Sequence, residues 1–256
     1  MDLLKCNDPL AVSFTRAVQT GDLETVSRLL NEVPGLAASR FVDDKGGTRT
    51  TLHVVTDWPG YFPNGPEMVQ LLIEAGADPN APATGGTFSE TPLHWAASSD
   101  DAEVAAALID GGADLEVPGG SIAGGTPLDN AVGYGCWNVA RLLAQRGARV
   151  DKLWHAAALG MISRVVELIE NDPEPEATAI NQAFWHACSG GQRRVAEYLL
   201  LRGADINWVP DYANQTPLEA AARFDTRRET LVSWLKMKGA GSSNDSAYNR
   251  TFSPDP

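Results

Sequence analysis

The stretch Thr91-Pro92-Leu93-His94-Trp95-Ala96-Ala97 limits the possible folds more than any other feature of this chain. Thr91 reads as a helix N-cap whose hydroxyl takes an orphan backbone N–H. Pro92 falls in the first helical turn, where its missing N–H costs nothing. Leu93, Ala96 and Ala97 share one face of a short helix, and the alanines let a second helix approach closely. That second helix runs from Glu103 to Asp110, with Val104, Ala105, Leu108 and Ile109 at helical spacing. Gly112 ends it as a left-handed C′ residue. A helix–turn–helix this small cannot bury its apolar face alone, so it must stack on copies of itself.

The copies are present. Thr126-Pro127-Leu128-Asp129-Asn130-Ala131 opens one that closes at Gly147-Ala148, and Thr216-Pro217-Leu218-Glu219-Ala220-Ala221 opens one that closes at Gly239-Ala240. Thr50-Thr51-Leu52-His53 leads to Gly76-Ala77-Asp78-Pro79-Asn80. Two degenerate openings keep the register, Leu153-Trp154-His155-Ala156-Ala157 and Phe184-Trp185-His186-Ala187-Cys188, the second closing at Gly203-Ala204-Asp205-Ile206-Asn207. An N-terminal unit without the opening keeps Ala17, Gly21, Leu23, Val26, Leu29 and Leu30. These openings and closings resemble the ankyrin-repeat family over nearly the whole chain. The resemblance implies an all-α solenoid of about seven helix–turn–helix repeats joined by β-finger connectors. The repeats open near residues 12, 50, 91, 126, 151, 182 and 216 of a domain spanning 12–240. A lead-in (1–11) precedes it, and a Ser-, Asn- and Pro-rich tail (241–256) reads as disordered.

Charge and cysteines narrow the function classes. The net charge of −13 argues against nucleic acid or an anionic membrane as partner, since phosphate binding needs a basic stripe. No apolar run approaches the roughly 18 residues of a membrane span. Cys6, Cys136 and Cys188 form neither a Cys-x-x-Cys pair nor an even framework, which fits reduced thiols in a cytoplasmic monomer. Phosphate-loop, zinc, serine-elbow and dinucleotide motifs are missing, so no cofactor and no metal is expected.

The departures from the repeat point to a site. Asp57-Trp58-Pro59-Gly60-Tyr61-Phe62-Pro63-Asn64-Gly65-Pro66 carries about five more residues than the usual inter-helix turn. Its three prolines predict an ordered aromatic lobe, which either plugs a junction between repeats or faces a ligand. The finger connector nearly vanishes between Val150 and Leu153, and the next one, Asn171 to Ile180, lacks the Gly-Ala-Asp end. So the finger row is expected to be interrupted at the fifth and sixth repeats.

In ankyrin-like repeats the fingers and the exposed flank of the inner helix meet the ligand. The flanking position two after the opening leucine reads Arg16, Val54, Trp95, Asn130, His155, His186 and Ala220. The positions before the inter-helix turn include Asp57, Ser98, Ser99, Tyr134, Ser189 and Arg223. Helices packed about 8–10 Å apart would let Trp95, Ser98, Asn130, Tyr134, His155 and His186 converge, with Asp57, Trp58 and Tyr61 closing one end.

Two functions follow. One is a module binding a partner protein in its concave groove and finger loops. The other is a small-molecule site or enzyme of isomerase, lyase or hydrolase type, with His155 and His186 as acid and base beside Tyr134 and Asp57. Against the second, a one-residue shift in register would return both imidazoles to the structural histidine position held by His53 and His94. Without that shift, Trp154 and Trp185 occupy that position. Asp129 and Glu219 replace the histidine in two repeats and are expected to hydrogen-bond locally.

Overall fold

The computed structural model describes residues 3–171, 175–223 and 228–243. It divides into two compact units, Met1–Arg149 and Val150–Pro256.

Unit 1 holds four helix pairs: α1 (Pro9–Thr20) with α2 (Leu23–Glu32), α3 (Thr51–Val55) with α4 (Gly65–Glu74), α5 (Pro92–Ser99) with α6 (Ala102–Asp110), and α7 (Pro127–Tyr134) with α8 (Trp137–Gln145). The first helices stack on one another in order, and so do the second helices. The threonines start their helices as capping boxes. Thr50 N–H donates to His53 Nδ1 and Thr91 N–H to His94 Nδ1, both at 3.1 Å, and Thr126 N–H donates to Asp129 Oδ2 at 2.7 Å. The Gly-Ala closings are equally regular. Gly76, Gly112 and Gly147 have φ of 99°, 94° and 99°, a left-handed conformation that admits glycine at no steric cost. The following alanine N–H in each reaches back to the carbonyl of Leu72, Leu108 or Leu143 at 2.9 Å. Leu52, Leu72, Leu93, Leu108, Leu128 and Leu143 are fully buried between the rows, each stabilising by roughly 1.5–3 kcal/mol.

The lead-in and the residues up to the Thr50 opening form a small sheet. β1 (Leu3–Lys5) pairs in parallel with β2 (Arg40–Val42), which pairs antiparallel with β3 (Thr48–Thr50). Phe41 of β2 meets Phe14 of α1 edge-on at 5.5 Å. Successive fingers are hydrogen-bonded, Thr48 to Thr84 in both directions and Ser89 N–H to the Gly119 carbonyl.

Unit 2 holds α9 (Leu153–Ala158) with α10 (Ile162–Glu170), α11 (Ala177–Ser189) with α12 (Arg193–Leu201), and α13 (Pro217–Ala221) with α14 (Glu229–Met237). Only three residues separate Arg149 from α9, too few for a finger. The stretch read as a connector up to Ile180 is helical from Ala177 onward. α11 thus runs 13 residues where α5 has 8, burying Ile180, Ala183, Phe184 and Ala187 on one stripe. Residues 172–174 of that connector lie outside the described residues. So does the expected disordered tail from 244 onward. Its first residues are bonded: Gly241 N–H donates to Asn207 Oδ1, and Ser243 donates to Glu219 Oε1 through N–H and hydroxyl.

Candidate functional site: an aromatic groove in unit 1

The inserted segment between α3 and α4 is ordered by bonds to the helix pairs on both sides. Asn64 Nδ2 donates to the Gly21 carbonyl in the α1–α2 turn at 2.8 Å. Tyr61 N–H donates to Asp101 Oδ2 at 2.8 Å, and its hydroxyl donates to the Asp100 carbonyl in the α5–α6 turn. Tyr61 is therefore an anchor of the lobe. Trp58 plugs no junction: 83% of its surface stays exposed.

Trp58 stands at one edge of a cleft of about 310 Å³. The cleft is lined by Thr56 and Asp57 from the end of α3, by Glu90 and Ser121 from two fingers, by Trp95, Ser98 and Ser99 of α5, and by Tyr134 of α7. Glu90 and Trp95 also wall a second cleft of about 640 Å³, which runs between the fingers past Arg49 and Phe88. Together they form one groove with Trp95 at its middle. The Trp95 ring is seated edge-on to His53, with centroids 4.8 Å apart.

A hydrogen-bond network fixes the groove floor. Glu90 Oε1 accepts from Asn130 Nδ2 at 2.7 Å and from Ser121 N–H at 2.8 Å. Asn130 Nδ2 also reaches Ser98 Oγ, and its Oδ1 accepts from Ile122 N–H. Ser121 Oγ and the Tyr134 hydroxyl lie 3.1 Å apart. Arg49 pairs with Asp57 at the side. Of the sequence candidates, Asp57, Trp58, Trp95, Ser98 and Tyr134 come together here. Asn130 is corrected from ligand contact to support, because it is completely buried beneath Glu90. Sequence reasoning missed Glu90, Arg49 and Ser121. A signal existed for two of them, since Arg49 and Glu90 are charged residues directly before a capping threonine.

His53 and His94 play the structural part expected of them. Each Nδ1 accepts from its threonine N–H, which leaves Nε2–H to donate, to the Glu90 carbonyl at 3.0 Å and the Gly125 carbonyl at 3.2 Å. Burial lowers both pKa values, that of His53 to about 3, so the rings stay neutral.

His155 and His186 belong to unit 2 and are only 1% and 3% exposed. They sit in an aromatic cluster: the Trp154 ring lies 4.1 Å from His155 and 4.8 Å from His186, and Trp185 and Tyr212 flank His186 at 5.0 and 6.2 Å. His186 Nε2 lies 3.3 Å from the Tyr212 hydroxyl, and its Nδ1 is buried without a hydrogen-bond partner. Desolvation, with a smaller push from His155, lowers the His186 pKa to about 3. The expected acid–base pair is thereby corrected. A substrate cannot reach enclosed rings, and an imidazole neutral down to such a pH is no proton donor near neutrality. The register of α11 is also decided. Trp185 Nε1–H donates at 2.9 Å to the carbonyl of Gln215, just before Thr216. Glu90 and Gly125 hold the same place before Thr91 and Thr126, so the indole replaces the structural imidazole. Trp185→Phe, which keeps an aromatic ring but deletes the donor and trims the buried indole, is expected to lower stability by at least about 1–2 kcal/mol in urea unfolding, because the Gln215 carbonyl loses its partner and a gap is left. An unchanged midpoint would mean the bond carries nothing.

Burial raises the Cys188 thiol pKa far above neutrality, which removes a thiolate nucleophile. Among the described residues, no group of three or more His, Cys, Asp or Glu could hold a metal ion, and no helix is long and apolar enough to cross a membrane.

The sequence profile of ankyrin repeats (three copies) matches residues 60–152. The B-cell lymphoma 3 protein homolog of Mus musculus is 30% identical over 242 residues, which cover 92% of this chain and 45% of that protein. Protein PhlB of Serratia liquefaciens is 31% identical over 123 residues, 48% of this chain and 47% of the relative. The chain thus spans less than half the length of either relative. Among solved structures, the human ASB11 ankyrin repeat domain matches in fold with a TM-score of 0.50 at 18% identity, covering 90% of this chain and 98% of that one. The capping threonines, the Gly-Ala closings, the stacked helix pairs and these matches agree: the chain is an ankyrin-repeat protein.

Proposed function

We propose that this chain is a binding module that recognises a segment of a partner protein in the unit 1 groove. The observation that carries this reading is Trp58, an exposed indole held by a lobe bonded on both sides, facing the same cleft as Trp95 and Tyr134. Aromatic side chains around a cleft with hydrogen-bonding serines are the anchors that dominate binding energy at protein interfaces. Asp57, Trp58, Trp95, Ser98 and Tyr134 make the contacts, and Tyr61 holds the lobe. The repeat domain spans 12–240. Free cysteines and acidic charge support a cytoplasmic monomer that avoids nucleic acid and membrane.

Selection of a displayed random peptide library on the full chain tests this. Wild type is expected to enrich a consensus, and Trp95→Ala to weaken those peptides at least tenfold, a loss typical of a buried anchor. Trp58→Ala should weaken them too while leaving the unfolding free energy within about 0.5 kcal/mol, since the side chain is exposed. Enriched peptides that bind both variants as well as wild type would place recognition elsewhere.

A further inference from the structure

The groove pairs a fixed carboxylate with aromatic faces. Glu90 Oε1 is held by two neutral donors, Asn130 Nδ2 and Ser121 N–H, and Asn130 is itself locked by Ser98 and Ile122. These two bonds hold Oε1 in place at the groove wall. Among the described residues, no lysine, arginine or histidine forms an ion pair with it. Arg49 and Lys45 line the adjoining cleft beside Glu90, but Arg49 is engaged by Asp57 and, among the described residues, neither forms an ion pair with Glu90.

We propose that the groove seats the positively charged head of a lysine or arginine side chain from a partner's extended segment, against the faces of Trp58, Trp95 and Tyr134, with Glu90 as its counter-charge. This rests on the groove being the partner site. The complementarity selects the occupant. Aromatic faces attract cations through their quadrupole. An apolar side chain would cover the carboxylate without pairing it, which is unfavourable. An anion placed against Glu90 itself would be repelled. The chain's net charge of −13 also steers basic segments toward it.

The test is an NMR titration of the full chain with Nα-acetyl-lysine methylamide, with the arginine counterpart, and with the norleucine counterpart, which has a similar stem and no charge. The readout is the indole N–H signals of Trp58 and Trp95, assigned with Trp58→Phe and Trp95→Phe. Lysine or arginine is expected to shift them with a millimolar dissociation constant, and norleucine to leave them in place. Glu90→Gln keeps an oxygen for the Asn130 and Ser121 bonds and removes only the charge, so it should weaken binding about tenfold without unfolding the groove. Norleucine binding as well as lysine, Glu90→Gln binding as well as wild type, or no shift with either cation would each overturn the inference. If the cations fail while library peptides still depend on Trp58 and Trp95, the groove remains the partner site and only its preference for charge falls.

Discussion

Acidification from pH 7 to pH 5 is expected to lower the unfolding free energy by roughly 4 kcal/mol, about 2 from each of His53 and His186, a large share of the 5–15 kcal/mol typical of a folded domain. Both imidazoles have a folded pKa of about 3 against 6.5 for the free group. A lowered folded value means that the unfolded chain binds the proton first. The stability is therefore whole above 6.5 and is lost progressively as pH falls from 6.5 toward 3. The reasons are local. A proton on His53 Nδ1 would oppose the Thr50 N–H that caps α3, and a proton on His186 Nδ1 would have no acceptor. His94 adds in the same direction. Carboxylates with lowered values, such as Asp110 and Glu219, add stability that is present above their unfolded values of 3.8 and 4.5 and is lost only as pH falls below them, outside the interval from pH 7 to pH 5. Urea unfolding at the two pH values measures the effect, and His53→Gln and His186→Phe should each flatten it by about half. Equal stability at both pH values, or His53 and His186 resonances of wild type that titrate near 6.5, would sink the assignment of neutral buried rings.

Phe184→Ala is expected to cost 3–5 kcal/mol, the range for removing a large buried ring whose surroundings cannot close the gap (about 24 cal/mol per Å³ of cavity left). Phe184 is fully buried in α11, in the same cluster as Val165, Ile169, Val195 and Leu199. Leu201→Ala is the control: at 87% exposure it should change stability by less than about 0.5 kcal/mol. Thermal and urea unfolding separate the two. A loss at Phe184 no larger than at Leu201 would mean that unit 2 repacks freely, contrary to a close-packed interior.

Much of this architecture could be read from short-range pattern. The threonine caps, the Gly-Ala closings and the spacing of leucines are local statements, and the helices begin and end where those residues require. The histidine position was equally legible, including its replacement by Asp129 and Glu219, whereas its replacement by Trp185 was one of two registers that the sequence left open. Three things were not legible. The parallel pairing of Leu3–Lys5 with Arg40–Val42 joins segments far apart in sequence, and no local period encodes such a partner. The start of α11 at Ala177 was masked by the preceding prolines and acids, although Ile180, Ala183, Phe184 and Ala187 carry helical spacing. The fate of Asn130, His155 and His186 depended on what covers them. Helical register says which flank a residue occupies, but only the fingers and neighbouring aromatics decide whether water reaches it. Glu90 escaped for a related reason, because a finger residue's direction is set by the turn that holds it.

Repeat arrays behave as springs, since each unit touches only its neighbours and small rotations at every junction add up. The lobe between α3 and α4 breaks that rule. Its bonds to Gly21 and to Asp100 and Asp101 link the first helix pair to the third across the second. Asp100 in turn accepts from the N–H groups of Asn138 and Val139 at the start of α8, which carries the link to the fourth pair. Unit 1 is therefore braced against bending about its second pair, and its groove keeps a set width before any partner arrives. In the proposed recognition, less motion then has to be frozen on docking, and the aromatic edge serves as a rigid jaw rather than a closing hand.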